Sequence, residues 1–140
     1  MRENCCVLLN ARPVGVPGSE FFDVVTRPVA DLQDGQFLVH NAYLSVDPAM
    51  RGWLNDAPNY SPPVPVGDVM RANAVGDVVE SRHADYEVGD RVSGTFGWQR
   101  FAVSDGRNVM RKLAPGEETS RALGVLGVQG LTAYFGLLDL

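Results

Sequence analysis

The segments DVMRANAVGDVVES (68–81) and DRVSGTFGWQRFAVSD (90–105) carry apolar, β-branched and aromatic residues in short runs that glycines interrupt. Gly76, Gly94 and Gly97 stand where a small sheet would bend or bulge. Several short strands with turn residues between them are typical of a small barrel. The two segments therefore predict a partly closed β-barrel.

The residues before these segments continue the β pattern. NCCVLLN (4–10) and FFDVVTRPV (21–29) predict two strands, and the loop ARPVGVPGS (11–19) separates them. Residues 36–46 alternate between two faces, which predicts a longer third strand. The first three quarters of the chain are therefore expected to be mainly β.

A proline ends the third predicted strand. Pro48 has no amide donor and suits the first turn of a short helix, with the carboxylate of Asp47 as its N-cap. The following run, DAPNYSPPVP (56–65), contains four prolines and cannot form regular structure. We expect a surface loop there.

The last 28 residues, LAPGEETSRALGVLGVQGLTAYFGLLDL, have a helical pattern. Thr119 or Ser120 can cap a first short helix, and Gly124 or Gly127 interrupts it. A second helix is predicted from apolar residues at helical spacing, namely Leu131, Tyr134, Phe135 and Leu138. No capping glycine follows, so we expect this apolar helix to lack the element that it packs against and to drive some self-association.

Three glycines in this region imitate a nucleotide-binding motif. Gly124, Gly127 and Gly130 form G-x-x-G-x-x-G, but polar helical residues precede them instead of a buried strand. No acidic residue stands about 20 positions further on, where a ribose would be bound. We expect these glycines to break a helix rather than to bind phosphate.

Composition restricts the partners. The chain has 140 residues, enough for one domain with a core, and its net charge of −5 disfavours a nucleic-acid partner. It has no run of about 20 apolar residues that could span a membrane, and its first residues do not form a secretory signal. We expect a cytoplasmic protein.

The soft metal ligands are few. Cys5 and Cys6 are adjacent in a predicted strand, so their side chains point to opposite faces and a disulfide between them would be strained. His40 and His83 lie at spacings that do not suggest a zinc site. We expect no metal.

Four segments resemble, in order and spacing, the medium-chain dehydrogenase/reductase superfamily. They are NAYLSVDPAMRGW (41–53), YEVGDRVSG (86–94), GWQRFAVSD (97–105) and GVLGVQGLTAYFGLLDL (124–140). The first and last are similar to the zinc-free branch of leukotriene B4 12-hydroxydehydrogenases, prostaglandin reductases, curcumin-type reductases and alkenal double-bond reductases.

The resemblance implies a mainly β fold with short helices, built as a GroES-like, partly open β-barrel. That domain would cover residues 1–118, and residues 119–140 would form a helical connector to a Rossmann domain that this sequence lacks. The branch uses NADPH to reduce the C=C bond of α,β-unsaturated ketones and aldehydes. The resemblance also implies that this chain, without the cofactor domain, neither binds NADPH tightly nor catalyses the reaction alone.

The resemblance also assigns residues near the cofactor. Asp47 matches the acid of the SVDP motif, although its role as a helix cap is an alternative. Thr132 matches the threonine of GLTAY near the nicotinamide amide, although it could instead be a plain N-terminal cap. Ser45 and Gln129 are weaker candidates of the same kind.

On the substrate side, Arg51 matches an arginine that lies near an acidic substrate's carboxylate in some relatives; a structural salt bridge is the alternative. Met50 precedes it, and Ala49 replaces a tyrosine that is common in relatives, which predicts a wider pocket. Tyr60 could replace that phenol, or could anchor its loop. No residue is identified that protonates the enolate.

Two other interpretations remain open at this point. The chain could be a standalone or split GroES-like binding module, although the unpartnered helix disfavours that. It could also belong to a zinc-free quinone reductase. Activity on enones or on quinones, once the cofactor domain is supplied, would distinguish these interpretations.

Overall fold

The computed structural model describes residues 2–57 and 59–138. Within them the chain forms seven strands, two short 3₁₀ turns and two α-helices. The α-helices and strands, in chain order, are β1 (Glu3–Leu9), β2 (Phe22–Pro28), β3 (Phe37–Leu44), α1 (Met50–Trp53), β4 (Ala74–Ser81), β5 (Arg91–Gly94), β6 (Phe101–Ser104), β7 (Val109–Lys112) and α2 (Val128–Leu138). The 3₁₀ turns are Ser19–Phe21 and Thr119–Leu123.

The strands form two open antiparallel sheets. β1 pairs with β2, and the larger sheet has the order β6-β3-β4-β5-β7. Two isolated bridges, Cys6↔Gln99 and Leu8↔Val69, join β1 to the larger sheet region without closing it. The prediction of a mainly β, partly open barrel with short helices is confirmed.

Three apolar clusters fill the interior of the described part of the chain, and the smallest consists of Val75, Leu113 and Ala122. The larger sheet encloses Phe37, Val39, Ala74, Val78, Val92, Phe96 and Ala102. The second cluster lies beneath α1 and the loop that follows it, and it contains Leu9, Met50, Leu54, Val64, Met70 and Ala72. Because α1 contributes Met50 to this cluster, the segment before α1 is held against the barrel.

Glycines permit the bends of the larger sheet. At Gly76 the register between β3 and β4 shifts, and a Cβ there would overlap the backbone carbonyl of His40. Gly97 has a φ of +74°, in the region that favours glycine. The predicted bends at these positions are confirmed.

The observed strands differ at their ends from the predicted ones. β3 covers residues 37–44 rather than 36–46, and β4 begins at Ala74 rather than 68. Residues 68–73 are not part of a named strand. Their backbone groups bond to β1, as in the bond from the Met70 amide to the Val7 carbonyl (2.9 Å), and also to residues 97–98 and to Ser45. β7 was not predicted, because four residues with two adjacent basic side chains carry little strand signal.

The predicted helix cap at Asp47 is wrong. α1 begins at Met50, with Ala49 at the N-cap position and no side-chain cap. Pro48 consequently precedes the helix instead of forming its first turn. The backbone carbonyl of Asp47 accepts from the Met50 amide (3.0 Å), which leaves the carboxylate free for a distant partner.

The C-terminal region also differs in its caps. Glu118, not Thr119 or Ser120, holds the N-cap position of the second 3₁₀ turn, and no side chain caps it. Gly124 ends that turn and Gly127 lies in the bend before α2, so the prediction that these two glycines interrupt helical structure is confirmed. Gly130 lies inside α2, so the prediction is wrong for this glycine.

The final helix, α2, begins at Val128, before the predicted Leu131, and none of its described side chains is buried. The predicted apolar residues Leu131, Tyr134, Phe135 and Leu138 are all exposed. Within the described residues, no helix is long and apolar enough to cross a membrane.

Candidate active-site cleft

A cleft of about 730 Å³ lies between the turn before α1, the proline-rich loop and α2. It brings together five residues that the sequence singled out, namely Asp47, Ala49, Tyr60, Gln129 and Thr132. The remaining lining residues are Pro48, Trp53, Ser61, Arg71, Asn73, Thr95, Val128 and Ala133. Residues distant in sequence therefore meet on one concave surface.

One hydrogen bond joins the two walls of the cleft. Gln129 Nε2 donates to Asp47 Oδ1 at 2.7 Å, across 82 positions of sequence. Because α2 has no buried side chain, this charge-assisted bond is a principal tie between the start of α2 and the turn before α1. The amide oxygen of Gln129 then remains available to a ligand.

Thr132 is not a helix cap. It lies inside α2, where its Oγ1 donates to the carbonyl of Val128 at 2.7 Å. The hydroxyl hydrogen is used on the backbone, so the oxygen lone pairs are what Thr132 offers to the cleft. An N–H donor, such as a primary amide, is the matching ligand group.

The substrate-side candidates differ in placement. Ala49 and Tyr60 line the cleft, and Tyr60 is 76% exposed, so it does not anchor its loop by packing inside. Met50 is buried in the cluster beneath α1 and does not reach the cleft. The small Ala49 side chain leaves room beside Tyr60.

Ser45 supports the site from within. It is buried, and its hydroxyl accepts from the Asn73 amide at 3.1 Å. The Ser45 carbonyl accepts from Trp98 Nε1 at 3.0 Å. Ser45 thus fixes the backbone before Asp47 and does not line the cleft.

Arg51 holds a loop. Its guanidinium donates to the carbonyls of Gly15 (2.9 Å) and Pro13 (3.4 Å) and to Asn55 Oδ1 (2.6 Å). The expected alternative of a salt bridge is not what the described residues show: these three acceptors are uncharged. Arg51 lies on a second cavity, beside the cleft and not within it.

Sequence reasoning missed the polar groups on the floor of the cleft. Asn73 Oδ1 accepts from Thr95 Oγ1 at 3.4 Å, which leaves the Asn73 amide hydrogens for other acceptors. Arg71 donates to Ser61 Oγ (2.7 Å) and lies over the Trp53 ring. In the sequence, the one local indication that Asn73 has a special role is its polar side chain between the apolar residues 72 and 74.

Within the described residues, no group of three or more His, Cys, Asp or Glu side chains could hold a metal ion. Both cysteines are free, as their placement on neighbouring positions of β1 led us to expect. Burial raises the pKa of the Cys6 thiol, against a smaller opposing effect of Arg27. Cys6 is therefore a packing residue rather than a ready nucleophile.

The fold is an open β-domain with a cleft between the turn before α1 and α2. Residues 6–112 match the family described as the N-terminal domain of oxidoreductase, and this chain belongs to that family. Its expected place in the medium-chain reductase branch is confirmed by its relatives.

Three relatives define that branch. The chain is 46% identical over 133 residues to NADPH-dependent curcumin reductase from Escherichia coli, covering 95% of this chain and 39% of that protein. It is 37% identical over 130 residues to prostaglandin reductase 1 from Sus scrofa, covering 91% and 37% of the two chains. The crystal structure of CurA in complex with NADPH from Vibrio vulnificus superposes with a TM-score of 0.88 at 41% identity, covering 97% and 40%.

The chain spans about two fifths of the length of these relatives.

Proposed function

We propose that this chain forms the substrate-side wall of an active site in which NADPH reduces the C=C bond of α,β-unsaturated ketones or aldehydes. The observation that carries the proposal is the cleft that Asp47, Gln129 and Thr132 border. The similarity to a curcumin reductase that is NADPH-dependent supports the cofactor. Because the chain covers 39% of that relative, we expect the reaction to require a cofactor domain in addition to this one.

The helix side of the cleft suits a nicotinamide carboxamide. The free amide oxygen of Gln129 and the lone pairs of Thr132 are acceptors on adjacent turns of α2. NADPH, when bound, supplies the hydride. These two residues would orient the nicotinamide, and Asp47 would hold Gln129 in place.

The floor of the cleft suits the substrate carbonyl. The Asn73 amide and the Tyr60 hydroxyl can donate to an oxygen whose negative charge grows as hydride reaches the β-carbon. Trp53 and Ala49 give the apolar surface that excludes water around it. No metal is required if these donors stabilise the oxyanion.

A chimaera tests this proposal. We would replace the matching N-terminal part of Escherichia coli curcumin reductase with this chain and follow NADPH oxidation with an aryl enone. We expect NADPH-dependent formation of the saturated ketone. The 140-residue chain alone should neither turn over nor bind NADPH tightly, and tight binding with turnover by the chain alone would contradict the proposal.

Two comparisons sharpen the test. Activity on quinones but not on enones would favour a quinone reductase, and a folded chimaera inactive on both would favour a binding module. Thr132→Val should raise the KM for NADPH several-fold, since it removes the acceptor without changing shape. Thr26→Val, on the exposed side of β2, is the matched control and should leave KM unchanged.

We also propose that the exposed apolar side chains of α2 drive self-association of the isolated chain. A monomer by light scattering at high concentration would contradict this.

A further inference from the structure

A second cavity, of about 450 Å³, shares Asp47 and Pro48 with the cleft and lies beside it. Its wall is mainly apolar and combines the barrel with the 11–19 loop. The side chains that give this character are Phe22, Val46, Met50, Leu54, Met70 and Trp98. Ligand pockets of a few hundred Å³ with mostly apolar walls and few polar groups are typical of small-molecule sites.

The outer wall of this cavity depends on two arginines. Arg51 donates to the carbonyls of Gly15 and Pro13, and Arg12 donates to the carbonyl of Leu54 at 3.1 Å. These bonds tie the 11–19 loop to α1 and to the residue after it. Val16, at the loop tip, is 92% exposed, so apolar packing alone does not hold the loop in place.

The charges at the cavity disfavour an anionic ligand. Three of the five N–H groups of Arg51 already donate to protein oxygens: Nε and Nη2 donate to the loop carbonyls, and Nη1 donates to Asn55. A carboxylate bound bidentately at the Nε–Nη2 edge would therefore have to displace the loop. Asp47 contributes a negative charge at the rim that the two cavities share. A neutral apolar group meets neither obstacle.

We infer that this second cavity is a subsite for an uncharged aryl or alkyl group of the substrate, and that Arg51 is a positioning residue which holds its loop wall. The inference rests on the proposed function, because it places the reacting enone in the adjoining cleft. An apolar cavity of roughly 150 Å³ is sufficient to bind benzene. The second cavity therefore has room for a ring, with the shared rim at Pro48 leading to the cleft.

Ligand binding to the 140-residue chain tests the inference without hydride transfer. We would titrate methyl-labelled protein with 4-phenylbut-3-en-2-one and with its para-carboxylate analogue, following the methyl groups of Val46, Leu54 and Met70 by NMR. We expect saturable shifts and ring-to-methyl NOEs with the neutral ketone, and binding of the carboxylate about tenfold weaker. Absence of NOEs to these methyls would overturn the subsite.

Two tryptophan variants test the cavity: one places the new side chain in the cavity wall, and the matched control places it elsewhere on the surface. Val46 is 80% exposed and lines the cavity, whereas Val88 is 67% exposed in the turn before β5, away from it. Val46→Trp should weaken binding of the neutral ketone by about tenfold or more, a size that small changes in apolar pockets produce. Val88→Trp should leave binding unchanged. Equal binding by the two variants would refute the subsite.

Arg51→Lys separates the two roles of the arginine. Lysine keeps the charge but cannot hold three acceptors in one plane. We expect weaker binding of the neutral ketone and faster amide exchange at Gly15 and Val16. If the natural chain binds the carboxylate analogue more tightly than the ketone, and the Arg51→Lys variant does not, then Arg51 binds a carboxylate and the inference is wrong. Failure of the chimaera to turn over, with these binding results intact, would contradict only the proposed reaction.

Discussion

Removing the bond between Gln129 and Asp47 should loosen α2 without unfolding the barrel. The 2.7 Å distance and the charged acceptor favour a contribution above that of a neutral bond. Both partners are at least partly exposed, and solvent screening reduces the contribution to about 0.5–1 kcal/mol. At about 1.4 kcal/mol per tenfold, α2 should then open about two- to fivefold more often.

Amide hydrogen exchange along α2 is the assay, since it reports local opening. Asp47→Ala and Gln129→Ala should each accelerate exchange at residues 128–138, and the double variant should be no faster than either single one. Asp34→Ala, an exposed acid in the turn before β3, is the control and should have no effect. Fully additive effects, or unchanged exchange in both single variants, would show that this hydrogen bond does not hold α2 in place.

Three further predictions concern the barrel and are read by urea unfolding. Phe37→Ala should destabilise the fold by about 3–5 kcal/mol, because it empties the largest fully buried position; a loss below about 1 kcal/mol would contradict the core assignment. Gly76→Ala should destabilise by about 1–3 kcal/mol, because its Cβ meets the His40 carbonyl, and an unchanged midpoint would contradict the close approach. The hydrogen bond from Lys112 lowers the pKa of Asp90, so this pair stabilises the fold above the usual carboxyl pKa and the stabilisation is lost as pH falls through the lowered value. Asp90→Asn should therefore be less stable than the natural chain at neutral pH and equally stable in strong acid; a constant difference would refute the linkage.

Local patterns were sufficient for much of the fold. The alternation in residues 36–46 and the glycines at 76 and 97 each act within a few residues, so their strands and bends could be predicted from the sequence. The proline-rich loop could also be predicted from local sequence, because prolines lack the backbone N–H donors that strands and helices require. β7 was not predicted because its four residues carry no clear strand pattern. The backbone pairing with β5 stabilises this strand, and that pairing cannot be seen in the local sequence.

The site depended on long-range partners, which no local rule reveals. Asp47 has the sequence context of a helix cap, yet its carboxylate binds Gln129, 82 positions away. From the sequence alone, the Arg51 guanidinium is free to bind a substrate carboxylate. In the folded chain it donates instead to carbonyls of the 11–19 loop. Asn73 lines the cleft, and its backbone is held by Ser45, which is 28 positions away in the sequence.

We propose that this chain holds an enone so that the hydride of NADPH reaches the β-carbon of the enone. The most direct measurement uses the chimaera, NADPH carrying deuterium at the transferable position, and an aryl enone, with the product analysed by NMR. We predict one deuterium at the β-carbon of the saturated ketone. Deuterium on the carbinol carbon of an allylic alcohol, with the C=C bond intact, would show carbonyl reduction instead and contradict the proposed function.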